Sequence, residues 1–105
     1  MNETAIKRSC LRYLKTLPNT WVYKTSDRWK SGVPDLIICM RTKHDRAGTL
    51  GMFIAIELKT AAGHVSPIQD YTMREIREAG GRTAVCRSAS EVRQFVDEVL
   101  KGVKL

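Results

Sequence analysis

Two apolar runs constrain the fold of this chain more than any other feature. Residues 36–40 read LIICM and residues 52–58 read MFIAIEL, with no turn-forming residue inside either run. Uninterrupted apolar runs of this length are typical of β-strands that are covered on both faces. A chain of 105 residues can bury such strands in one core but is too short for two. We therefore predict a single α/β domain over residues 1–105, with both runs inside its sheet.

The first half of the chain predicts one helix and three strands. Apolar residues recur at helical spacing over residues 2–17, and Pro18 stops the pattern. Residues 20–24, 34–40 and 52–59 then give three strands that are separated by short polar turns. Three consecutive strands with short connections predict an antiparallel meander.

The second half predicts a helix, a strand and a last helix. Ser66 fits an N-cap and Pro67 the first helical position. Residues 82–87 form a fourth strand, and Ser88 with Glu91 makes a capping box for the last helix. The order is αβββαβα, and a strand–helix–strand unit allows a parallel crossover. We expect a mixed sheet flanked by helices.

Charge and composition narrow the partners and the compartment. The net charge is +7, which favours a polyanionic partner, with nucleic acid ahead of a membrane surface. No apolar run approaches the roughly 20 residues of a membrane span, and the amphipathic start does not resemble a signal peptide. Cys10, Cys39 and Cys86 are odd in number and widely spaced, so we expect small buried hydrophobes in a reducing cytoplasm.

Charged residues interrupt the apolar strands at positions that can meet. Strand alternation places Glu57 and Lys59 on one face of the third strand, and Asp35 leads into its predicted antiparallel neighbour. Two close carboxylates repel each other, and a divalent cation is the usual remedy. Alternatively, Asp35 is a turn former after Pro34, and the other two charges reach solvent at a strand end. That alternative does not explain why both strands are interrupted where they can meet.

The order of these residues resembles a known nuclease family. GVPD at Gly32–Asp35 is followed by Glu57-x-Lys59, by Gln69 within GHVSPIQ, and by VCRSASEV before the last helix. With Glu3 on an early helix, this pattern resembles the VRR-NUC (virus-type replication and repair nuclease) family of the PD-(D/E)xK superfamily, in its stand-alone phage or bacterial form. The resemblance implies a restriction-endonuclease-like core and metal-dependent cleavage of phosphodiester bonds.

The resemblance also implies roles for individual residues. Asp35 and Glu57 would bind the metal with the backbone carbonyl of Leu58, and hard oxygen ligands suit Mg²⁺, with Mn²⁺ able to substitute. No small-molecule cofactor is expected. Lys59 would deprotonate or position the attacking water. Glu3 would bind the metal directly or through water, or else serve only as a first-turn carboxylate favoured by the helix dipole.

Gln69 has two candidate roles. It lies three residues after Ser66, so it fits a capping box as well as an active-site contact. We expect the active-site role and expect that it does not combine with capping. His64 is a lone loop histidine, and we leave it outside the catalytic set.

Basic residues in two loops are candidate DNA contacts. Such residues bind phosphate without reading sequence, and a tryptophan among them could stack on an exposed base. The alternative is a solvated surface, with that tryptophan as a lid on the core. The candidates are Lys24, Arg28, Trp29, Lys30, Arg41, Lys43 and Arg46.

The expected function is a Mg²⁺-dependent endonuclease acting on branched DNA. Stand-alone members of the resembled family are similar to Holliday junction resolvases that work as homodimers, so we expect four-way junctions as substrate, in a bacterial or phage-infected cytoplasm. The alternatives are a less selective nuclease of flaps or duplex DNA, or a DNA-binding module without catalysis. No membrane partner is expected.

Overall fold

Seven elements follow one another in the predicted order αβββαβα over the part of the chain that this computed structural model describes, residues 2–26, 31–41 and 50–102. They are α1 (Glu3–Leu14), β1 (Thr20–Lys24), β2 (Leu36–Arg41), β3 (Gly51–Leu58), α2 (Pro67–Glu78), β4 (Arg82–Cys86) and α3 (Ala89–Gly102). None of the described helices is both long enough and apolar enough to span a membrane.

The four strands form one mixed sheet in the order β1-β2-β3-β4. The β1–β2 and β2–β3 pairs are antiparallel, which confirms the predicted meander. The β3–β4 pair is parallel, and α2 makes the crossover between them. Asp35 and Glu57 therefore lie at the ends of the two central strands, where neighbours on both sides fix the backbone.

One face of the sheet carries the core. Ile38 pairs with Val22 on one side and with Ile54 on the other, so alternate side chains of all three strands point to the same side. Helices α1 and α3 pack on this face and contribute Ile6, Cys10, Leu14, Val92, Val96 and Val99 to the buried cluster. The buried side of α3 is thus formed by Val92, Val96 and Val99.

The opposite face, which we call the α2 face, is only partly covered. We predicted that β2 and β3 are buried on both faces, and on the α2 face this is wrong. On that face Cys39 is exposed, Ile37 is half-buried and Phe53 is 43% exposed. A single helix about 10 Å wide spans roughly two strands at 4.8 Å spacing. Helix α2 thus leaves part of the sheet bare, and the expectation of three buried cysteines fails at Cys39.

The predicted element boundaries shift by up to three residues. Helix α1 ends at Leu14 rather than at residue 17, and β2 begins at Leu36, so Pro34 and Asp35 lie ahead of the strand. Only half of the predicted capping box of α3 is present. The Ser88 hydroxyl accepts from the Glu91 amide at 3.1 Å, but the Glu91 carboxylate accepts from the amide of Arg87, not Ser88.

The start of α2 is positioned by a glycine contact. Ser66 and Pro67 begin the helix as predicted. Gly32 has a φ of +85°, and a Cβ there would lie 2.7 Å from the backbone oxygen of Ile68 in the first turn of α2. The GVPD turn and α2 can therefore approach this closely only because residue 32 has no side chain.

We expect Gly32→Ala to destabilise the protein more than Gly80→Ala does. Both glycines have positive φ, which costs an L-residue about 1–2 kcal/mol. A Cβ at Gly80 meets no atom within 4 Å, whereas one at Gly32 must displace the backbone of α2. Urea denaturation should therefore give a free-energy loss at least about 1 kcal/mol larger for Gly32→Ala. Equal losses would contradict the close approach of the turn to α2.

Candidate active site

The sheet register brings Asp35 and Glu57 together. Leu36 pairs with Ile56, so one further step of the antiparallel register places Asp35 opposite Glu57. The Asp35 carbonyl accepts from the Thr25 amide at 2.9 Å, which continues the β1–β2 ladder to the same row. Both carboxylates therefore lie on the same side of the sheet, the α2 face.

Pro34 changes the hydrogen bonding of the strand end beside this pair. One more step of the register places Pro34 opposite Leu58, and proline has no N–H to donate to the Leu58 carbonyl. The Leu58 amide donates instead to Oδ2 of Asp35 at 2.8 Å. The β2–β3 ladder thus ends before Pro34, and the Asp35 side chain, rather than the Pro34 backbone opposite, binds the amide at the end of β3.

Glu57 lies in an unfavourable environment for a carboxylate. The residue is 3% exposed, and among the described residues its Oε2 is a buried oxygen with no hydrogen-bond partner. Burial, followed by the hydrogen bond and charge of Asp35, raises the pKa of Glu57 to about 8, and Lys59 opposes the shift only in part. A buried carboxyl with an unused oxygen beside a second carboxylate is a site that favours a cation.

Lys59 supplies a positive charge at the same strand end. Its Nζ lies 3.9 Å from Oε1 of Glu57, and its side chain is mostly buried. The Lys59 amide donates to the carbonyl of Cys86 at 3.1 Å, so β4 fixes the backbone just beyond β3. The ammonium group is therefore held at the edge of the carboxylate pair.

Gln69 both caps α2 and contacts the site. Its Oε1 accepts from the Ser66 amide at 2.9 Å, which completes a capping box. Its Nε2 donates to Oε1 of Glu57 at 3.3 Å. The expectation that one role excludes the other was wrong, because the carboxamide presents an acceptor and a donor at different ends.

Lys7 is a contact that the sequence analysis missed. Its Nζ lies 3.6 Å from Oδ1 of Asp35 and 3.3 Å from Oε1 of Glu3, one helical turn earlier. Burial acts to lower the pKa of Lys7, but the charges of Asp35 and Glu3 outweigh it and raise that pKa. Glu3 is thus linked to Asp35 through Lys7. The i,i+4 spacing of Glu3 and Lys7 was the available signal.

Arg87 fixes the loop that joins Lys59 to α2. Its Nη1 donates to the carbonyl oxygens of Thr60 at 2.5 Å and of Gly63 at 2.8 Å. The arginine follows β4 directly, so the edge strand that pairs with β3 holds the far side of this loop. Arg87 lies in the segment VCRSASEV, but its contacts with this loop were not predicted from the sequence.

Comparison with known families agrees with this geometry. The family model of the VRR-NUC domain matches residues 3–90. The chain belongs to the VRR-NUC family. Its pattern of Asp35, Glu57 and Lys59 is consistent with the PD-(D/E)xK superfamily. VRR-NUC domains are a nuclease family, and a nuclease domain points to DNA as substrate.

Two solved structures share the fold of this VRR-NUC chain. One, described as a VRR_NUC domain, has a TM-score of 0.67 at 20% identity and covers 97% of both chains. The other, a VRR_NUC domain protein, has a TM-score of 0.73 at 17% identity and covers 96% of this chain and 89% of that one. The comparison with curated proteins gave no match.

The structure brings together most, but not all, of the residues that the VRR-NUC resemblance selected. Asp35, Glu57, Lys59 and Gln69 converge with the Leu58 backbone, whereas Glu3 contacts Lys7. In the described ranges, no group of three or more His, Cys, Asp or Glu side chains is placed to bind a metal. His64, which the sequence left outside the catalytic set, is exposed.

The candidate DNA contacts are only partly described. Lys24 and Arg41 are exposed and end β1 and β2, which run antiparallel, so they lie at opposite ends of the sheet. Lys24 is at the end that carries Asp35. Five candidates lie outside the described residues: Arg28, Trp29, Lys30, Lys43 and Arg46. Their DNA contacts stay predictions.

The raised pKa of Glu57 predicts a pH-dependent stability. The usual pKa of this carboxyl is 4.5, and in the folded protein it is about 8. Between these two pH values, the folded protein without metal binds more protons than the unfolded chain. Its stability therefore falls as the pH rises from about 5 to about 8. We expect the Tm in EDTA to fall over this range, and Glu57→Gln to flatten the fall. Glu98→Gln, at an exposed position of α3, is the matched control. A wild-type slope in Glu57→Gln would contradict the assignment.

The two functions of Gln69 can be separated by substitution. Ser66→Ala removes the cap and should cost about 1 kcal/mol while cleavage stays within a few-fold of wild type. Gln69→Glu keeps an acceptor for the Ser66 amide but replaces the donor to Glu57 with a carboxylate, so cleavage should fall while the helix start is kept. Thermal melts and cleavage rates together test this. An equal loss of cleavage in both variants would show that Gln69 acts only through the helix.

Proposed function

We propose that this VRR-NUC chain is a Mg²⁺-dependent endonuclease that cuts branched DNA, four-way junctions above all, as a homodimer. The observation that supports it most directly is the Asp35–Glu57 pair, in which a buried carboxylate oxygen has no partner among the described residues. A carboxylate pair on two central strands, with a lysine at the same end, is suited to hydrolysis of a phosphodiester.

The donor set fits a hard divalent cation. Asp35 and Glu57 supply carboxylate oxygens, and the Leu58 carbonyl lies at the end of the ladder that Pro34 interrupts. Oxygen donors of this kind suit Mg²⁺ or Mn²⁺, which keep several waters when only one or two carboxylates bind. In that arrangement Glu3 would contact the ion through a water molecule, or would affect Asp35 through Lys7. When bound, the ion would act as a Lewis acid toward the phosphate.

The side chains of the chain itself account for the rest of the proposed chemistry. The Lys59 ammonium group positions the attacking water and offsets the charge that builds on the phosphate oxygens as the water oxygen bonds to phosphorus. Gln69 holds Oε1 of Glu57 by its amide, so the carboxylate keeps one orientation. Arg87 binds two carbonyl groups of the loop between Lys59 and Gln69. This loop then keeps the two side chains at a fixed separation. As the new P–O bond forms, the attacking water gives up a proton to surrounding water. The P–O bond to the leaving oxygen breaks, and that oxygen takes a proton from water and departs with the other DNA end.

The proposed homodimer follows from the number of cuts. Resolution of a four-way junction takes two incisions on opposing strands, and the described part of one chain contains one Asp35–Glu57 pair. A closed two-fold dimer is the commonest homo-oligomer and matches the approximate symmetry of the junction.

Replacement of the central residues should remove cleavage and keep the fold. Asp35→Asn, Glu57→Gln and Lys59→Ala should each lower the Mg²⁺-dependent rate on labelled four-way junctions by at least about 100-fold. Circular dichroism and DNA affinity should stay near wild type. Glu98→Gln and Lys15→Ala, at exposed positions, are the matched controls.

Product mapping on a substrate panel separates the proposed function from its alternatives. Paired incisions on four-way junctions support a resolvase. Cutting of flaps or linear duplex at equal rates would indicate a less selective nuclease. Full turnover in any of the three variants would contradict the site, and binding without cleavage by the wild type would indicate a DNA-binding module.

DNA affinity should fall steeply with salt, because the proposed interactions are with phosphates. Neutralising Arg41, Lys43 and Arg46 should flatten the log–log salt slope by roughly one unit for each phosphate that the protein no longer binds. The matched control removes the same charge from exposed positions in or next to α1 and α3: Arg12, Lys15 and Lys101. An unchanged slope after the loop substitutions would place the DNA elsewhere.

A further inference from the structure

The two carboxylates of the candidate active site each have one oxygen that already accepts a hydrogen bond. Oδ2 of Asp35 accepts from the Leu58 amide at 2.8 Å, and Oε1 of Glu57 accepts from Gln69 at 3.3 Å. Oε2 of Glu57 has no hydrogen-bond partner in the described part of the chain. These bonds leave Oδ1 of Asp35 and Oε2 of Glu57 for a cation.

Oδ1 of Asp35 is already paired with a cation that belongs to the chain. The Nζ of Lys7 lies 3.6 Å from this oxygen and 3.3 Å from Oε1 of Glu3. In a short ammonium–carboxylate hydrogen bond the two atoms are about 2.7–2.9 Å apart, so both contacts are longer ion pairs. The ammonium group therefore neutralises Asp35, and no short hydrogen bond holds it there.

Lys7 reaches the site from the opposite layer of the fold. Helix α1 packs on the core face of the sheet through Ile6 and Cys10, whereas both carboxylates lie on the α2 face. The Lys7 side chain is 24% exposed and extends to Asp35, one residue before β2 begins. Because its four-carbon stem is flexible, the ammonium group can move away while the helix stays packed.

Glu3 gives the ammonium group a second partner. It lies four residues before Lys7, which is the favourable order for an ion pair on a helix, and its side chain is 57% exposed. An ammonium group that gives up Asp35 still has this carboxylate. Displacement of Lys7 from Asp35 therefore does not leave a buried charge without a partner.

The same contact accounts for the lack of an open acidic cluster here. The charge of Glu3 adds to the raised pKa of Glu57, so Glu3 lies within electrostatic reach of the carboxylate pair. Even so, the described residues contain no group of three or more acidic, histidine or cysteine side chains that could hold a metal. The Lys7 ammonium group lies between Glu3 and Asp35 and keeps the third carboxylate apart from the pair.

We propose that Lys7 is the resident counter-ion of this site. Its ammonium group neutralises Asp35 in the metal-free protein, competes with the divalent cation for Oδ1, and so sets the cation concentration that the enzyme needs. The inference rests on the proposed function, since the site is the one assigned there to Mg²⁺. The apparent affinity for the cation is then the intrinsic affinity multiplied by the fraction of molecules in which Asp35 is free of Lys7.

A Mn²⁺ titration of the full chain, followed by electron paramagnetic resonance of the free ion, measures this competition without DNA or cleavage. Lys7→Met should bind Mn²⁺ roughly tenfold more tightly than the wild type, because no ion pair has to be broken. Lys7→Arg keeps a cation beside Asp35 and should bind Mn²⁺ no more tightly than the wild type. A misfolded variant would bind the ion more weakly, so the expected gain cannot come from damage to the fold.

The matched control is Arg8→Met, which removes the same charge from an exposed position one residue further along α1. It should change the Mn²⁺ affinity by about twofold or less in about 0.15 M salt, where exposed charges are largely screened. An equal gain in Lys7→Met and Arg8→Met would show that only the net charge of the protein matters. That result would overturn the proposal.

The stability of the metal-free protein gives a second readout. In EDTA, Lys7→Met should lower the Tm, since it leaves Asp35 beside Glu57 without the cation that it is paired with. The same concentration of Mn²⁺ should then raise the Tm of Lys7→Met more than that of the wild type. In an Asp35→Asn background, Lys7→Met should change the Tm in EDTA very little, because the partner is gone. Equal losses in both backgrounds would overturn the pairing.

The outcomes separate this inference from the proposed function. Mn²⁺ that binds the wild type, but binds Lys7→Met no more tightly, would overturn the role of Lys7 and leave the proposed function standing. The expected gain in a protein that cuts no DNA would overturn only the proposed function. Failure of Mn²⁺ to bind the wild type and both Lys7 variants would overturn both.

Discussion

The repulsion between two carboxylates on adjacent strands is the constraint on which the rest of the structure depends. The register that buries Ile38 and Ile54 also places Asp35 opposite Glu57, so the core cannot form without bringing these charges together. Burial and proximity raise the pKa of Glu57 to about 8, which shows how poorly the site tolerates two free anions. Lys7 and Lys59 offset part of that charge, and one Glu57 oxygen still has no donor in the described ranges.

Helix α2 couples this site to the fold. Its first turn lies against Gly32, its N-cap is Ser66, and Gln69 connects that cap to Glu57. The same helix is too narrow to cover the whole sheet, which leaves Trp21 and Tyr23 exposed near the candidate active site. Helix α2 thus orients a carboxylate of the candidate active site and leaves the aromatic side chains of β1 uncovered.

The sequence predicted what depends on local patterns. Strand β1 and the N-cap of α2 were placed correctly, because strand-forming runs and capping residues act locally. The meeting of Asp35 and Glu57 was predictable too, since the antiparallel register follows from the apolar runs. The features that could not be predicted depend on how the helices pack against the sheet. Exposure of Cys39 follows from the position of α2, and the contact of Lys7 with Asp35 depends on how α1 packs. The double role of Gln69 required the distance between α2 and β3.

The central claim is that Asp35 and Glu57 form a site for a divalent cation. Its most direct test is an anomalous-scattering experiment on crystals of the protein grown with Mn²⁺. The account predicts one anomalous peak within coordination distance of both carboxylates, with the Lys7 ammonium group moved away from Asp35. A data set with Mn²⁺ in excess and no peak between Asp35 and Glu57, and with Lys7 still paired to Asp35, would contradict it.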